Sequence, residues 1–186
     1  MKILNEIIYF IFPLLFAGLI HHLIIIKYNL LYFLSKPIDN NFNYKDIPLL
    51  GKSKTWRGLV IVPILSSIGS LIISYVIPIQ INLPPLLVGL LLGLGYSVAE
   101  LPNSFTKRRL KIKSGEKTYN KFFNLFFILD QIDSVTGSVL VLLFIYPASF
   151  NLCLLILIIG SLLHLLVDIY LNKYGYKKLR NNQQKC

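Results

Sequence analysis

Asp130 and Asp133 stand three residues apart inside an otherwise apolar run. On a helix that spacing puts both carboxylates on one face. Two anions so placed repel unless something positive sits between them. A divalent cation does this, and Mg²⁺ is suited to it because it takes oxygen ligands and keeps water or phosphate in its shell. A structural clamp does it as well, each Asp pairing with Lys or Arg from a loop. Two basic stretches are available for either arrangement: Gly51-Lys52-Ser53-Lys54-Thr55-Trp56-Arg57-Gly58, and Asn103-Ser104-Phe105-Thr106-Lys107-Arg108-Arg109, which continues to Lys113 and Gly115. Glycine, lysine, threonine and arginine together suit phosphate oxygens, through open backbone and charge-assisted bonds. The same composition also suits an interfacial anchor, with Trp at head-group level and long cations snorkelling. The second stretch reads equally as a solvated basic edge. If it is helical, Ser104 shares a face with Lys107 and Arg108. Glu100 and Asp168 complete the set of carboxylates in or at the edge of apolar runs.

The elements that must carry these groups are set by composition. Of 186 residues, 55% are hydrophobic and 15% charged, and mean hydropathy is +0.65. A soluble domain usually carries about 25% charged residues. This argues against a soluble globular domain, and a disordered chain and a collagen-like chain are excluded. Apolar runs cover residues 7–26, 58–79, 83–101, 122–146 and 152–171, and a span needs about 20 such residues. Backbone polar groups in lipid must be satisfied within the segment, so the runs predict helices. The expected fold is an all-α integral membrane protein with five transmembrane helices, forming one domain over residues 1–186. Residues 80–82 alone separate the second and third runs, which predicts a tight hairpin. The first run exceeds the apolar core of a signal peptide, and no small-x-small cleavage site follows it.

Charge gives the orientation. There are 19 Lys+Arg against 8 Asp+Glu, a net +11. The 27–57 segment, the 102–121 segment and the tail beyond 172 hold nearly all of the cations, whereas 80–82 and 147–151 hold none. Five spans put the three basic segments on one side. By the positive-inside rule that side is cytoplasmic, with the C-terminus there and the N-terminus outside. The basic excess then calls for membrane lipids or phosphates as partners and needs no nucleic acid. Asp130 lies about 12 Å into its run by helical rise. A carboxylate at that depth needs a water-filled cavity, a cation or a basic partner. His21, His22 and His164 read as hydrogen-bonded helix residues or interface markers. Cys153 and Cys186 do not make a disulfide framework. With no Cys-x-x-Cys, His-Glu-x-x-His, Gly-x-Ser-x-Gly or Gly-x-Gly-x-x-Gly in the chain, hydride transfer, zinc hydrolysis and α/β-hydrolase chemistry have no support.

Taken in order, Gly51-x-x-Lys54-Thr55-Trp56-Arg57-Gly58, Asn103-Ser104-Phe105-x-Lys107-Arg108-Arg109 and Asp130-Gln131-x-Asp133 with Gly137 resemble the CDP-archaeol synthases. The latter two blocks are also similar to the signature of CDP-diacylglycerol synthases, with Gln131 where that signature carries Arg. The archaeol branch uses Gln. Ala99-Glu100-Leu101-Pro102-Asn103-Ser104-Phe105 is similar to bacterial members of the family. The resemblance implies a membrane-bound CTP:lipid-phosphate cytidylyltransferase that joins CTP to a lipid phosphate, of isoprenoid-ether or diacylglycerol type, and releases pyrophosphate. It implies Mg²⁺ on Asp130 and Asp133, with Glu100 as a further ligand. Lys107 and Arg108, helped by Ser104, would hold CTP phosphates, and Arg109 would be a further substrate contact. Lys54, Thr55 and Arg57 would hold the triphosphate or the lipid phosphate. The alternatives are a CTP-dependent polyprenol or lipid kinase of the same superfamily, a small membrane transporter and a non-enzymatic scaffold.

Overall fold

The computed structural model describes residues 1–112 and 123–174. Five helices are long and apolar enough to cross a membrane: α1 (Lys2–Ile20), α2 (Trp56–Val76), α3 (Pro85–Arg109), α4 (Phe123–Ile145) and α5 (Phe150–Lys173). They pack in a closed ring, with α2 between α1 and α3, α3 on α4, α4 on α5, and α5 back on α1. Phe10, Leu92, Leu142, Leu152 and Ile156 fill the interior. Leu154, Ile158, Leu162 and Leu166 form an exposed stripe down α5, one residue per turn, as a face against hydrocarbon requires.

The helix boundaries depart from the hydropathy reading in an informative way. α2 stops at Val76 and α3 starts at Pro85, so residues 77–84 form an extended connection rather than a three-residue hairpin. Pro78 disfavours helix at the residue before it. Pro85 sits at the first helical position, where its missing N–H costs nothing. α3 then runs through Pro102 to Arg109, so Asn103–Arg109 is the last two turns of a helix and not a loop. α1 begins at Lys2 and therefore includes Glu6, which is buried and accepts a 2.7 Å bond from the Tyr146 hydroxyl. That bond ties the start of α1 to the end of α4. Placing the first span from residue 7 leaves this acid out.

Small residues set the helix–helix distances, as in other membrane bundles. Gly93 faces Pro63 and Ser66 of α2, and Gly89 faces Ser66 and Ser70. Gly95 faces Gly137 of α4.

α1 ends in a π-helical turn, His21–Ile26. The segment from there to α2 is folded on itself. It contains a two-stranded antiparallel ribbon, β1 (Asn43–Tyr44) and β2 (Ile47–Pro48), which the all-helical expectation did not include. Lys45 and Asp46 turn the ribbon with positive φ at both positions, a two-residue connection of the type that matches strand twist. Asp39 accepts from the backbone N–H groups of Leu50 and Gly51 at 2.8 and 3.0 Å. The Ile38 N–H donates to Lys54 O and the Trp56 N–H to Lys36 O. These bonds fix Lys54 at the head of α2. Lys113, Lys117, Lys121 and the tail residues Lys177, Lys178, Arg180, Lys185 and Cys186 lie outside the described residues, so their part in the charge pattern rests on sequence alone.

Candidate active site

Because α3 continues past Leu101, Tyr96, Glu100, Asn103 and Lys107 fall at intervals of four, three and four residues. That spacing makes one stripe on a helix. On α4, Phe126, Asp130, Asp133, Ser134 and Gly137 form the matching stripe. α3 packs directly on α4, and the two stripes meet.

Asn103 is at the centre. Its Nδ2 donates to Asp130 Oδ1 and to Asp133 Oδ2, each at 2.7 Å. Its Oδ1 is buried without a hydrogen-bond partner. Lys107 forms an ion pair with Asp130, and its ammonium lies 5.5 Å from the centroid of Phe126. Lys54 crosses from the head of α2 to an ion pair with Glu100. The Ser134 hydroxyl donates to Glu100 Oε1 at 2.8 Å, and its N–H donates to Asp133 Oδ1 at 2.7 Å. Asp130 is the more open carboxylate, its side chain 45% exposed against 28% for Glu100.

The structure thus gathers Lys54, Glu100, Lys107, Asp130 and Asp133 into one polar seam at the end of the bundle where the basic segments lie. Neutralisation is by lysine and amide together, so the contacts made are those of the clamp reading of the aspartate pair. Asp130 is clamped by a cation, and Asp133 is held by neutral donors. Among the described residues, no group of three or more His, Cys, Asp or Glu side chains is gathered as a ready metal site. Glu100 is turned toward Lys54 and Ser134. The donor set still fits a hard divalent ion, since it offers carboxylate oxygens and the orphaned Asn103 Oδ1, and such ions take oxygen ligands.

The arginines take other positions. Arg57 is buried and donates to Asn29 Oδ1 and Leu30 O at 3.1 and 3.3 Å, tying the turn that follows the π-helical segment to the start of α2. Arg109 donates to Ile47 O and Pro48 O at 3.0 and 2.7 Å and stacks against Phe105 and Tyr44. It holds the ribbon on the end of α3. Arg108 is buried and donates to the Ile112 carbonyl, and Ser104, one helical turn before it, is also buried. Ser104 and Arg108 lie one position round the helix from the Asn103–Lys107 stripe. Thr55 is the residue before α2, and its side chain makes no capping bond. Asp168 bonds to Asn172 on its own helix at 3.4 Å.

Sequence reasoning did not name Ser134 and gave Asn103 no role. The signal was present: Glu100, Asn103 and Lys107 keep helical period across Pro102. Ending the run at Leu101 hid it.

A family model described as CarS-like CDP-archaeol synthase matches residues 1–180. The CDP-archaeol synthase of Methanospirillum hungatei is 32% identical over 162 residues, covering 77% of this chain and 88% of that protein. The CDP-archaeol synthase of Pyrococcus horikoshii is 30% identical over 149 residues, covering 77% and 81%. A solved intramembrane enzyme for archaeal membrane lipid biosynthesis shares the fold, with a TM-score of 0.65 over 87% of this chain and 92% of that one, at 22% identity.

Proposed function

The chain belongs to the CDP-archaeol synthase family, and from that membership we propose how its polar seam carries the chemistry. The protein is a membrane CTP-dependent cytidylyltransferase of lipid biosynthesis, forming CDP-archaeol from CTP and a lipid phosphate. An oxygen of the lipid phosphate attacks the α-phosphorus of CTP. A new P–O bond forms there as the bond to the β-phosphate oxygen breaks, and pyrophosphate leaves with the electron pair. The attacking oxygen is already anionic, so a general base contributes little. The obstacle is bringing two polyanions together, and the work is positioning and charge neutralisation.

The supporting observation is the meeting of the α3 and α4 stripes, which joins Asn103 to Asp130 and Asp133 and pairs Lys107 with Asp130, while Lys54 reaches Glu100 from the head of α2. Lys54 and Lys107 hold phosphate oxygens, exchanging their carboxylate partners for the more highly charged substrate. The Thr55 hydroxyl lies next to Lys54 in sequence and supplies a further donor. Asp130 and Asp133, with the Asn103 side-chain oxygen, would hold Mg²⁺, which supplies positive charge to the phosphates when bound. Glu100 sets the position of Lys54 and, through Ser134, of Asp133. Arg57, Arg108 and Arg109 act one step back, fixing the loop and helix ends from which the lysines reach. The seam faces the cytoplasm of the cell membrane by the positive-inside rule, on the side where CTP is supplied. The lipid reaches it sideways between helices.

The test uses purified protein in nanodiscs with Mg²⁺, labelled CTP and an archaeal-type lipid phosphate. CDP-lipid and pyrophosphate are the expected products. Release of CDP with a newly phosphorylated lipid would make the protein a kinase, and ion flux without nucleotide would make it a transporter.

A further inference from the structure

A cavity of about 40 Å³ lies between α1, α3, α4 and α5, one turn inside the polar seam. Its lining is apolar, with Leu15, Val135 and Ile156 among the walls, and Tyr96 and His164 bring the polar side chains. His164 Nδ1 is buried and has no hydrogen-bond partner. His22 shows the ordinary alternative, its Nδ1 bonded to the Gly18 carbonyl at 2.9 Å on its own helix. A buried polar atom left unsatisfied is destabilising, so the fold gains nothing by keeping it without a partner. The His164 ring stands edge-on to Tyr96 at 6.0 Å between centroids. Tyr96 precedes Glu100 by one helical turn, so His164 lies about 5 Å deeper in the bilayer than the seam's carboxylates.

That depth has a chemical meaning for a glycerol lipid whose phosphate is held at the seam. The oxygens that join its chains to glycerol follow the phosphate by a few bonds, a separation on the order of one helical turn. They are acceptors only, and an imidazole N–H is a donor. The cavity has room for that neck and not for whole chains, since a single water needs about 10–15 Å³. A methyl at Gly18 would meet nothing within 4 Å, so the α1 wall leaves the space open. We propose that His164 is a specificity residue that donates a hydrogen bond from Nδ1 to a glycerol linkage oxygen of the lipid phosphate, selecting glycerol-linked acceptors over simple prenyl phosphates. This rests on the cytidylyltransferase reading and adds to it which part of the lipid is recognised, and by what.

The experiment measures turnover by the full chain in nanodiscs with an ether glycerophosphate lipid, an ester phosphatidic acid and a polyprenyl phosphate, the last also as a competitive inhibitor. Absence of wild-type turnover on every acceptor overturns the functional reading and this inference with it. Given turnover, His164→Phe raises KM for the glycerol lipids about tenfold, while kcat, KM for CTP and the polyprenyl phosphate Ki stay unchanged. His164→Gln, which keeps an N–H donor, recovers most of the loss. A shift on the ether acceptor alone assigns an ether oxygen, and a shift on both assigns an oxygen position common to the two. An unchanged KM, or an equal shift for polyprenyl phosphate or CTP, overturns the proposal. Should His164→Phe fail to fold, Gly18→Leu carries the test. Filling the cavity from α1 raises KM for glycerol lipids with CTP binding intact, and an unchanged lipid KM in that variant overturns the proposal as well.

Discussion

Gly95 of α3 and Gly137 of α4 meet backbone to backbone: a methyl at Gly95 would stand 2.6 Å from the Gly137 carbonyl oxygen. A methyl at Gly137 would run into the Gly95 carbonyl and the Ala99 side chain. This contact lies one to two turns inside the seam, so it sets both the spacing and the register at which Asn103 meets Asp130 and Asp133.

Gly137→Val is therefore expected to lower stability by about 1–3 kcal/mol, the usual cost of overpacking, and to lower turnover with it. Gly58→Ala is the control, because a methyl there meets nothing within 4 Å. Thermal melts in detergent, read beside CDP-lipid formation, check this. A Gly137→Val protein that melts and turns over like Gly58→Ala would show that the helices separate without consequence.

Asn103 carries a second expectation. Its amide is what the two aspartates share, and Asn103→Leu leaves them facing each other with that donor gone. A supporting group around a metal or anion site typically contributes 10- to 100-fold. Turnover is expected to fall by about that factor, with the Mg²⁺ concentration for half-maximal rate displaced. Asn103→Gln, whose amide is one methylene longer, is expected to recover part of the loss. A Mg²⁺ titration on each variant separates an effect at the carboxylates from a general loss of fold.

Arg109 is expected to act through the ribbon. Its two bonds to Ile47 O and Pro48 O are charge-assisted, a class worth about 1.5–3 kcal/mol each where shielded from water and less where exposed. Arg109→Ala frees β1 and β2 from α3. Backbone hydrogen exchange over residues 39–51 is expected to quicken on the order of tenfold, with a modest rise in KM for CTP because Lys54 is held by the same folded segment. Exchange confined to its wild-type rate would mean the ribbon holds itself.

How far these features were legible in the sequence follows from what sets each one. The five helices were legible because hydrophobic length alone decides them. Their ends were not, because Pro102 and the cations after it make residues 102–109 read as a loop, while packing against α4 keeps them helical. The acidic pair was legible as charge that lipid would exclude, and its lysines as members of two basic stretches beside the apolar runs. The destinations of Arg57 and Arg109 were not. Both reach backbone carbonyls presented by turns whose residues, Lys45-Asp46 among them, carry no strong turn signature. His164 read as an ordinary helix histidine, because its missing partner is visible only when α3 and α5 are placed side by side.

Asp133 gives the sharpest expectation. Its Oδ2 accepts from Asn103 and its Oδ1 from the Ser134 N–H. Asp133→Asn keeps a side chain of the same shape with one acceptor oxygen, so the bundle is expected to hold. What disappears is the negative charge. If that charge seats Mg²⁺, CDP-lipid formation falls on the order of 100- to 1000-fold, the usual size of a lost electrostatic contact at a reacting phosphate or acyl centre. On the same premise EDTA is expected to abolish turnover by the wild type, and added Mg²⁺ to restore it. A variant that stays folded and turns over at the wild-type rate, or a wild type indifferent to EDTA, would leave the aspartates as the lysine-linked clamp that Asp130 and Lys107 already form.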